Sequence, residues 1–172
     1  MDAVTGHSSD PQQLAEQVVA QMLATDALSR WLGLEVVAIA PRRCTCRMTV
    51  RHEMVNGFGV AHGGIVFAFA DSAFAFACNT HGGVTVAVDN TITYPAAIHP
   101  GDVLTAVAEE EARSNRLGYY RVVVTNQAGA VVALFKGTAY RTSRPHVPAA
   151  ASTADGAAPP HETPAPTETP HA

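Results

Sequence analysis

The spacing of apolar positions changes along the chain, and each change marks an element. Leu14, Val18 and Met22 recur every four residues behind Asp10-Pro11-Gln12-Gln13. That tetrapeptide suits a helix start, with Asp10 as cap, proline at the first helical position and Gln13 placed to reach back in a capping box. Asp26 is positioned to cap a second short helix closed by Gly33, with Trp31 and Leu32 expected on the core. Alternation then takes over in residues 34–39 and 43–51, separated by Pro41. In the second run Cys44, Cys46, Met48 and Val50 share one face, and Arg43, Thr45, Arg47, Thr49 and Arg51 share the other. From Ile65 to Cys78 apolar residues cover every side of a helix, interrupted only by Asp71 and Ser72. Residues 84–94, 103–113, 119–126 and 131–141 again have strand character. The first of these places Val84, Val86, Val88, Ile92 and Tyr94 on one face, with Thr85, Ala87, Asp89, Thr91 and Thr93 opposite. The short connections at 114–118 and 127–129 predict antiparallel neighbours.

A helix that is apolar all round cannot lie on an open surface, so a sheet must curl around it or a partner must cover the remainder. The pattern therefore predicts an α+β protein, an antiparallel β-sheet wrapped around one long central helix, which is the hotdog architecture. Three segments are expected: an N-terminal helical part at 1–27, the sheet-and-helix domain at 28–143, and a tail at 144–172. Seven of the eleven prolines lie between Pro145 and Pro170, among Ala and Thr and without an aromatic residue, Lys or Arg. Such a composition predicts disorder.

Composition narrows the function classes. With 172 residues and 47% hydrophobic content one core can be buried, and no stretch supplies the roughly 18 charge-free apolar residues of a membrane span. The N-terminus lacks a basic region followed by an apolar one, so the cytoplasm is the expected location and no membrane partner is expected. The net charge is −4, and Asp155, Glu162 and Glu168 of the tail account for three of the acids, leaving −1 on the rest. That argues against a nucleic-acid partner. Cys44 and Cys46 read as core thiols, because a zinc site needs four ligands and no second Cys or His cluster stands at suitable spacing. Neither metal nor cofactor is expected.

The candidate chemistry lies in residues 55–83, VNGFGVAHGGIVFAFADSAFAFACNTHGG. His62-Gly63-Gly64 stands at the mouth of the apolar helix, and Asp71 lies two turns inside it. An ionised Asp is seldom buried without a partner or a task, and the neighbouring Phe67, Phe69, Phe74, Phe76 and alanines offer no partner. The first amides of a helix lack internal acceptors and carry the positive end of its dipole, so the Gly63 and Gly64 N–H groups are candidate donors to a developing oxyanion. Ser72 lacks a GxSxG elbow and Cys78 has no evident base, so both read as packing residues. His81 reads as a residue that favours the negative end of the helix dipole. Gly82-Gly83 ends a helix and is not followed by Lys-Ser/Thr, which excludes a phosphate loop.

Asn56, His62-Gly63-Gly64, Phe67, Ala70-Asp71, Ala73-Phe74-Ala75, Cys78-Asn79, Gly101-Asp102 and residues 132–137 together resemble the phenylacetic acid degradation thioesterases of the hotdog superfamily. The resemblance spans about residues 28–141. It implies an acyl-CoA thioesterase acting on phenylacetyl-CoA or hydroxyphenylacetyl-CoA in phenylacetate breakdown, with coenzyme A as part of the substrate. It also implies roles for Asn56 on the nucleophile side and His62 on the oxyanion side. His62 can equally serve as a simple helix cap. Asp89 or Asn90 falls where related enzymes place a small polar residue that orients water, and an acid there departs from the pattern.

Asp71 would act as general base on water or as a nucleophile forming an anhydride, and the residues leave both open. Its apolar surroundings predict a modest upward shift of its pKa. Gly63 and Asp71 are eight residues apart, about 12 Å along a helix axis, too far for one carbonyl to touch both. Asp71 of one subunit facing Gly63 of another resolves this, which predicts a homo-oligomer, a two-fold dimer at least and a tetramer by expectation. Arg113, Asn115 and Arg116, with Lys136 as a further cation, are the available donors to coenzyme A phosphates, a solvated turn being the alternative. Phe67, Phe74 or Tyr94 would contact the acyl group. A short- or medium-chain fatty acyl-CoA thioesterase, a non-catalytic acyl-CoA sensor and a dehydratase on the same fold are the competing readings.

Overall fold

In the computed structural model, which describes residues 10–146, Asp10 caps helix α1 (Pro11–Thr25) by accepting the Gln12 amide at 3.1 Å. The reach back expected of Gln13 is not made. Gln12 bonds instead to Glu16 at 2.7 Å and to the Ile39 carbonyl at 2.8 Å, tying α1 to the first strand. Asp26 caps α2 (Ala27–Leu32) through the Ser29 amide, and Gly33 closes it at φ 69°, a left-handed value that glycine adopts without strain. Leu32 is buried as expected, but Trp31 is half exposed. A six-residue helix has a narrow inward face, and the residue before Leu32 is rotated about 100° from it. Trp31 lies instead against the Arg51 guanidinium, 5.3 Å from the ring centre.

Six strands follow: β1 (Glu35–Ala40), β2 (Arg43–Thr49), β3 (Gly83–Thr93), β4 (Val103–Arg113), β5 (Leu117–Thr125) and β6 (Val131–Pro145). Their order is β1-β2-β4-β5-β6-β3, with every pairing antiparallel. Helix α3 (Gly63–Asn79) packs against all strands from β2 to β6. This is the hotdog arrangement that an all-apolar helix requires. Phe69, Phe74, Phe76, Met48, Leu104 and Phe135 fill the space between helix and sheet. Cys44 and Cys46 lie in this core with their sulfurs 3.7 Å apart, and the mutual contact and burial push the Cys46 thiol up.

Strand β3 departs from simple alternation. Its pairing with β6 slips between Ala87 and Asp89, so that one extra residue, Val88, is accommodated. Before the slip Thr85 is the buried residue; after it Asn90 and Ile92 take the sheltered positions. The single apolar face expected for Val84, Val86, Val88, Ile92 and Tyr94 is thus broken, and Val86 and Val88 are exposed. A slip of one residue exchanges the two faces of a strand.

Strand β6 runs past residue 143 through Arg144 and Pro145, where the composition reads as the start of the tail, because Pro145 pairs with Gly83. His146 then donates its backbone N–H to the Gly82 carbonyl at 2.8 Å. The disorder expected of the rest of the tail falls outside the described residues, as do the first nine residues.

Phe74 is wedged between α3 and β6, 5.4 Å from the ring of Tyr120 and 5.7 Å from that of Phe135. It fits because position 137 carries no side chain: a Cβ on Gly137 would meet Phe74 ring carbons at 2.8–2.9 Å. Gly137→Ala should therefore destabilise the fold by about 1–3 kcal/mol, read as a lower urea midpoint. An unchanged midpoint would show that the wedge can move.

Candidate active site

Two clefts divide the predicted site residues. The first, about 380 Å3, is lined by Asn56, Val60, Gly63, Tyr94, Pro95 and Ile98 among others. His62 caps α3 and accepts the Gly64 amide on Nδ1 at 2.9 Å. That acceptance places the proton of a neutral imidazole on Nε2. It also removes Gly64 from the pair of expected oxyanion donors, leaving the Gly63 N–H as the first-turn amide with no acceptor among the described residues. On the other side of the same residue, Tyr94 donates its hydroxyl to the Gly63 carbonyl at 2.7 Å. Partial burial pushes the Tyr94 phenol up, which keeps it a donor. Asn56 accepts the Phe58 amide on its side-chain oxygen at 2.9 Å and closes the turn ahead of the helix. Within one chain it therefore stands beside Gly63 and not beside Asp71.

The second cleft, about 290 Å3, is lined by Asp71, Phe74, Ala75, Cys78, Thr85, Val86 and His146 among others. Asp71 is half-buried and has the partner that its helix did not supply: Asn90 donates its side-chain N–H to the carboxylate at 2.8 Å. The β3 slip puts Asn90 in this position, and Asp89 is exposed on the other face. Burial pushes the Asp71 carboxyl up, and the Asn90 hydrogen bond pulls it part of the way back. The Asn90 side-chain oxygen is buried without a hydrogen-bond partner among the described residues. Cys78, on the wall of this cleft, has its thiol pushed up to about 12 by burial and by Asp71, which suits a packing residue. Ser72 shares a 3.2 Å hydrogen bond with Ser29 of α2.

Gly63 and Asp71 thus open onto different clefts of one chain, in keeping with their separation of about 12 Å along the helix. Of the predicted aromatic contacts, Tyr94 lines the first cleft and Phe74 the second, while Phe67 packs edge-on against Phe135 at 5.5 Å.

The expected phosphate donors also separate. Asn115 and Arg116 line an open polar cleft of about 250 Å3 together with Arg141, Thr142 and Ser143. Arg116 is braced by the Tyr140 hydroxyl at 2.8 Å. Arg113 points instead toward Glu110, 3.8 Å away, and Lys136 lies on the outer face of the sheet opposite Arg121 and Thr91. Arg141 escaped the sequence reading because it falls at the end of an alternating strand, where nothing marks an inward guanidinium. Its Nε is buried without a partner among the described residues.

Comparison with known proteins agrees with this architecture. The sequence profile of the thioesterase superfamily matches residues 58–133. Acyl-coenzyme A thioesterase PaaI of Escherichia coli is 37% identical over 120 residues, covering 70% of this chain and 86% of that protein. The structure of the E. coli PaaI protein from the phenylacetic acid degradation operon superposes with a TM-score of 0.77 at 34% identity, covering 79% of this chain and 99% of the other. A hypothetical thioesterase protein of Streptococcus pneumoniae, solved with coenzyme A, superposes with a TM-score of 0.63 at 25% identity, covering 65% and 90%.

Because Asn90 favours the ionised carboxylate, Asn90→Ala should move the Asp71 titration to higher pH, followed by carboxyl 13C NMR. A titration at the parent position would show that the hydrogen bond does not govern this acid.

Proposed function

Since the chain belongs to the thioesterase superfamily and is a thioester hydrolase, we propose that it cleaves phenylacetyl-CoA or hydroxyphenylacetyl-CoA to the free acid and coenzyme A, as a step of phenylacetate catabolism. Hydrolysis of acyl-CoA thioesters is the activity that its relatives' names carry. The aryl substrate is supported by the likeness to the phenylacetic acid degradation protein and by the aromatic Tyr94 on the wall of the Gly63 cleft.

The observation that carries the mechanism is the placement of Gly63 and Asp71 on separate clefts of one chain. The thioester carbonyl accepts the Gly63 N–H, whose position at the helix start favours the negative charge of the tetrahedral intermediate. Asp71 of a neighbouring subunit removes a proton from water, which attacks the carbonyl carbon; collapse of the intermediate breaks the C–S bond, and the leaving thiolate takes up the proton from Asp71 to depart as the coenzyme A thiol, which restores the carboxylate. The base reading is supported by Asn90, which holds the carboxylate in one orientation at 2.8 Å. A two-fold dimer yields two such sites.

Coenzyme A would lay its phosphates against Asn115, Arg116 and Arg141. Thr85 borders both the Asp71 cleft and a small space ringed by Arg116 and Arg141, which links the reacting end to the polar rim. Arg116→Gln with Arg141→Gln should raise KM for the acyl-CoA about tenfold or more while leaving KM for the matching acyl-pantetheine unchanged. An equal rise for both substrates would remove the phosphates from this rim.

The shared site has a direct test. Asp71→Asn should lower kcat by about two to four powers of ten. Gly63→Pro, which deletes the N–H at a helical position that accepts proline, should lower it by about two to three. When the two variants are unfolded and refolded together, each mixed dimer keeps one intact pair, so about a quarter of the parent activity should return. No recovery in mixtures shown by mass spectrometry to contain mixed dimers would place both groups in one subunit's site.

A further inference from the structure

The peptide unit between Gly63 and Gly64 is held at both ends. Its carbonyl accepts the Tyr94 hydroxyl at 2.7 Å, and its N–H donates to His62 Nδ1 at 2.9 Å. The preceding peptide, which carries the Gly63 N–H, is held through its His62 carbonyl by the Ile65 amide at 2.9 Å and the Val66 amide at 3.4 Å, but two successive glycines are the most freely rotating residues a chain can carry and leave its tilt to be fixed by the peptide that follows. The clamp removes that freedom on the peptide next to the one that carries the Gly63 N–H, at a residue that lines the cleft. Glycine at 63 is also what admits the clamp: a Cβ there would lie 3.2 Å from the Tyr94 hydroxyl and its ring carbon. Tyr94 is itself set in place by its neighbours, following the last residue of β3 and preceding Pro95, which biases it to extended backbone.

We propose that Tyr94 is a positioning residue that, together with His62, locks the Gly63–Gly64 peptide and so aims the Gly63 N–H at the reacting carbonyl. The assignment rests on the reading of that N–H as the oxyanion donor. Tyr94 does not touch the oxyanion; it acts through the orientation of a backbone group, where small displacements have large effects on rate.

Tyr94→Phe keeps the ring against Gly63 and removes only the hydrogen bond. It should lower kcat about three- to tenfold with KM for acyl-CoA unchanged. In the Gly63→Pro background, where no N–H remains to be aimed, the same substitution should leave kcat where Gly63→Pro put it. A parent-like kcat for Tyr94→Phe, or an equal fall in both backgrounds, would overturn the proposal. Parent-like turnover by Gly63→Pro would overturn the oxyanion reading itself and this assignment with it. Because the proline Cβ would itself crowd the Tyr94 hydroxyl, the comparison is also made with His62→Ala, which frees the other end of the same peptide. The double variant should then lose less activity than the product of the two single losses, and a fully multiplicative loss would overturn the clamp.

Discussion

Placing a carboxylate on an otherwise apolar helix sets the terms for this molecule. The native state withdraws Asp71 from water, so its carboxyl is pushed up relative to the unfolded chain. The sign of the linkage follows. At a pH below the unfolded value both states hold the proton and burial costs little. As pH rises from the unfolded value through the raised native one, the unfolded chain ionises more readily and native stability is lost. Above that window the fold carries an ionised acid at some cost, and the Asn90 hydrogen bond offsets part of it. A group kept under those conditions in the wall of a cleft is better explained by chemistry than by packing.

The same helix explains why Gly63 and Asp71 open onto different clefts of one chain. Its length separates the donor at the first turn from the acid two turns on, and the surrounding sheet gives each a cleft of its own. Flexing a side chain cannot close a gap of about 12 Å. A two-fold arrangement of helices brings unlike ends together without altering either, which is why the proposed reaction is assigned to a pair of subunits. Strand β3, at the edge of the sheet, carries the exposed Val86 and Val88, and Val86 also borders the Asp71 cleft. Unpaired strand edges of this kind favour association.

Much of the architecture was legible because burial imposes periodicity. The alternating Cys44, Cys46, Met48 and Val50 all face the core, and the all-round apolar α3 requires a wrapped sheet. The half-exposed Trp31 and the unused Gln13 show where this reasoning weakens: short helices and surface caps are decided by whichever neighbour lies within reach. In the site, Asp71 and Gly63 were legible as chemically costly or conformationally special. The loss of Gly64 as a donor was not, since a histidine cap and a catalytic histidine look alike until the direction of Nδ1 is known. Arg141 and the Tyr94 contact were hidden for a related reason, because they depend on which residues distant strands bring to a helix end.

The partner of Asp71 illustrates how a backbone irregularity can decide chemistry. Under strict alternation from the buried Thr85, the odd-numbered residues of β3 would face the helix, and Asp89 would lie toward Asp71. Two carboxylates at close range would raise one pKa strongly and hinder ionisation of Asp71. The extra residue at the slip exchanges the faces, turning Asp89 outward and presenting Asn90. An amide can donate to the ionised acid with its N–H, which a second acid could not do while ionised. The acid at position 89 thus faces away from Asp71, and the amide one residue along faces it, because of the slip in the strand.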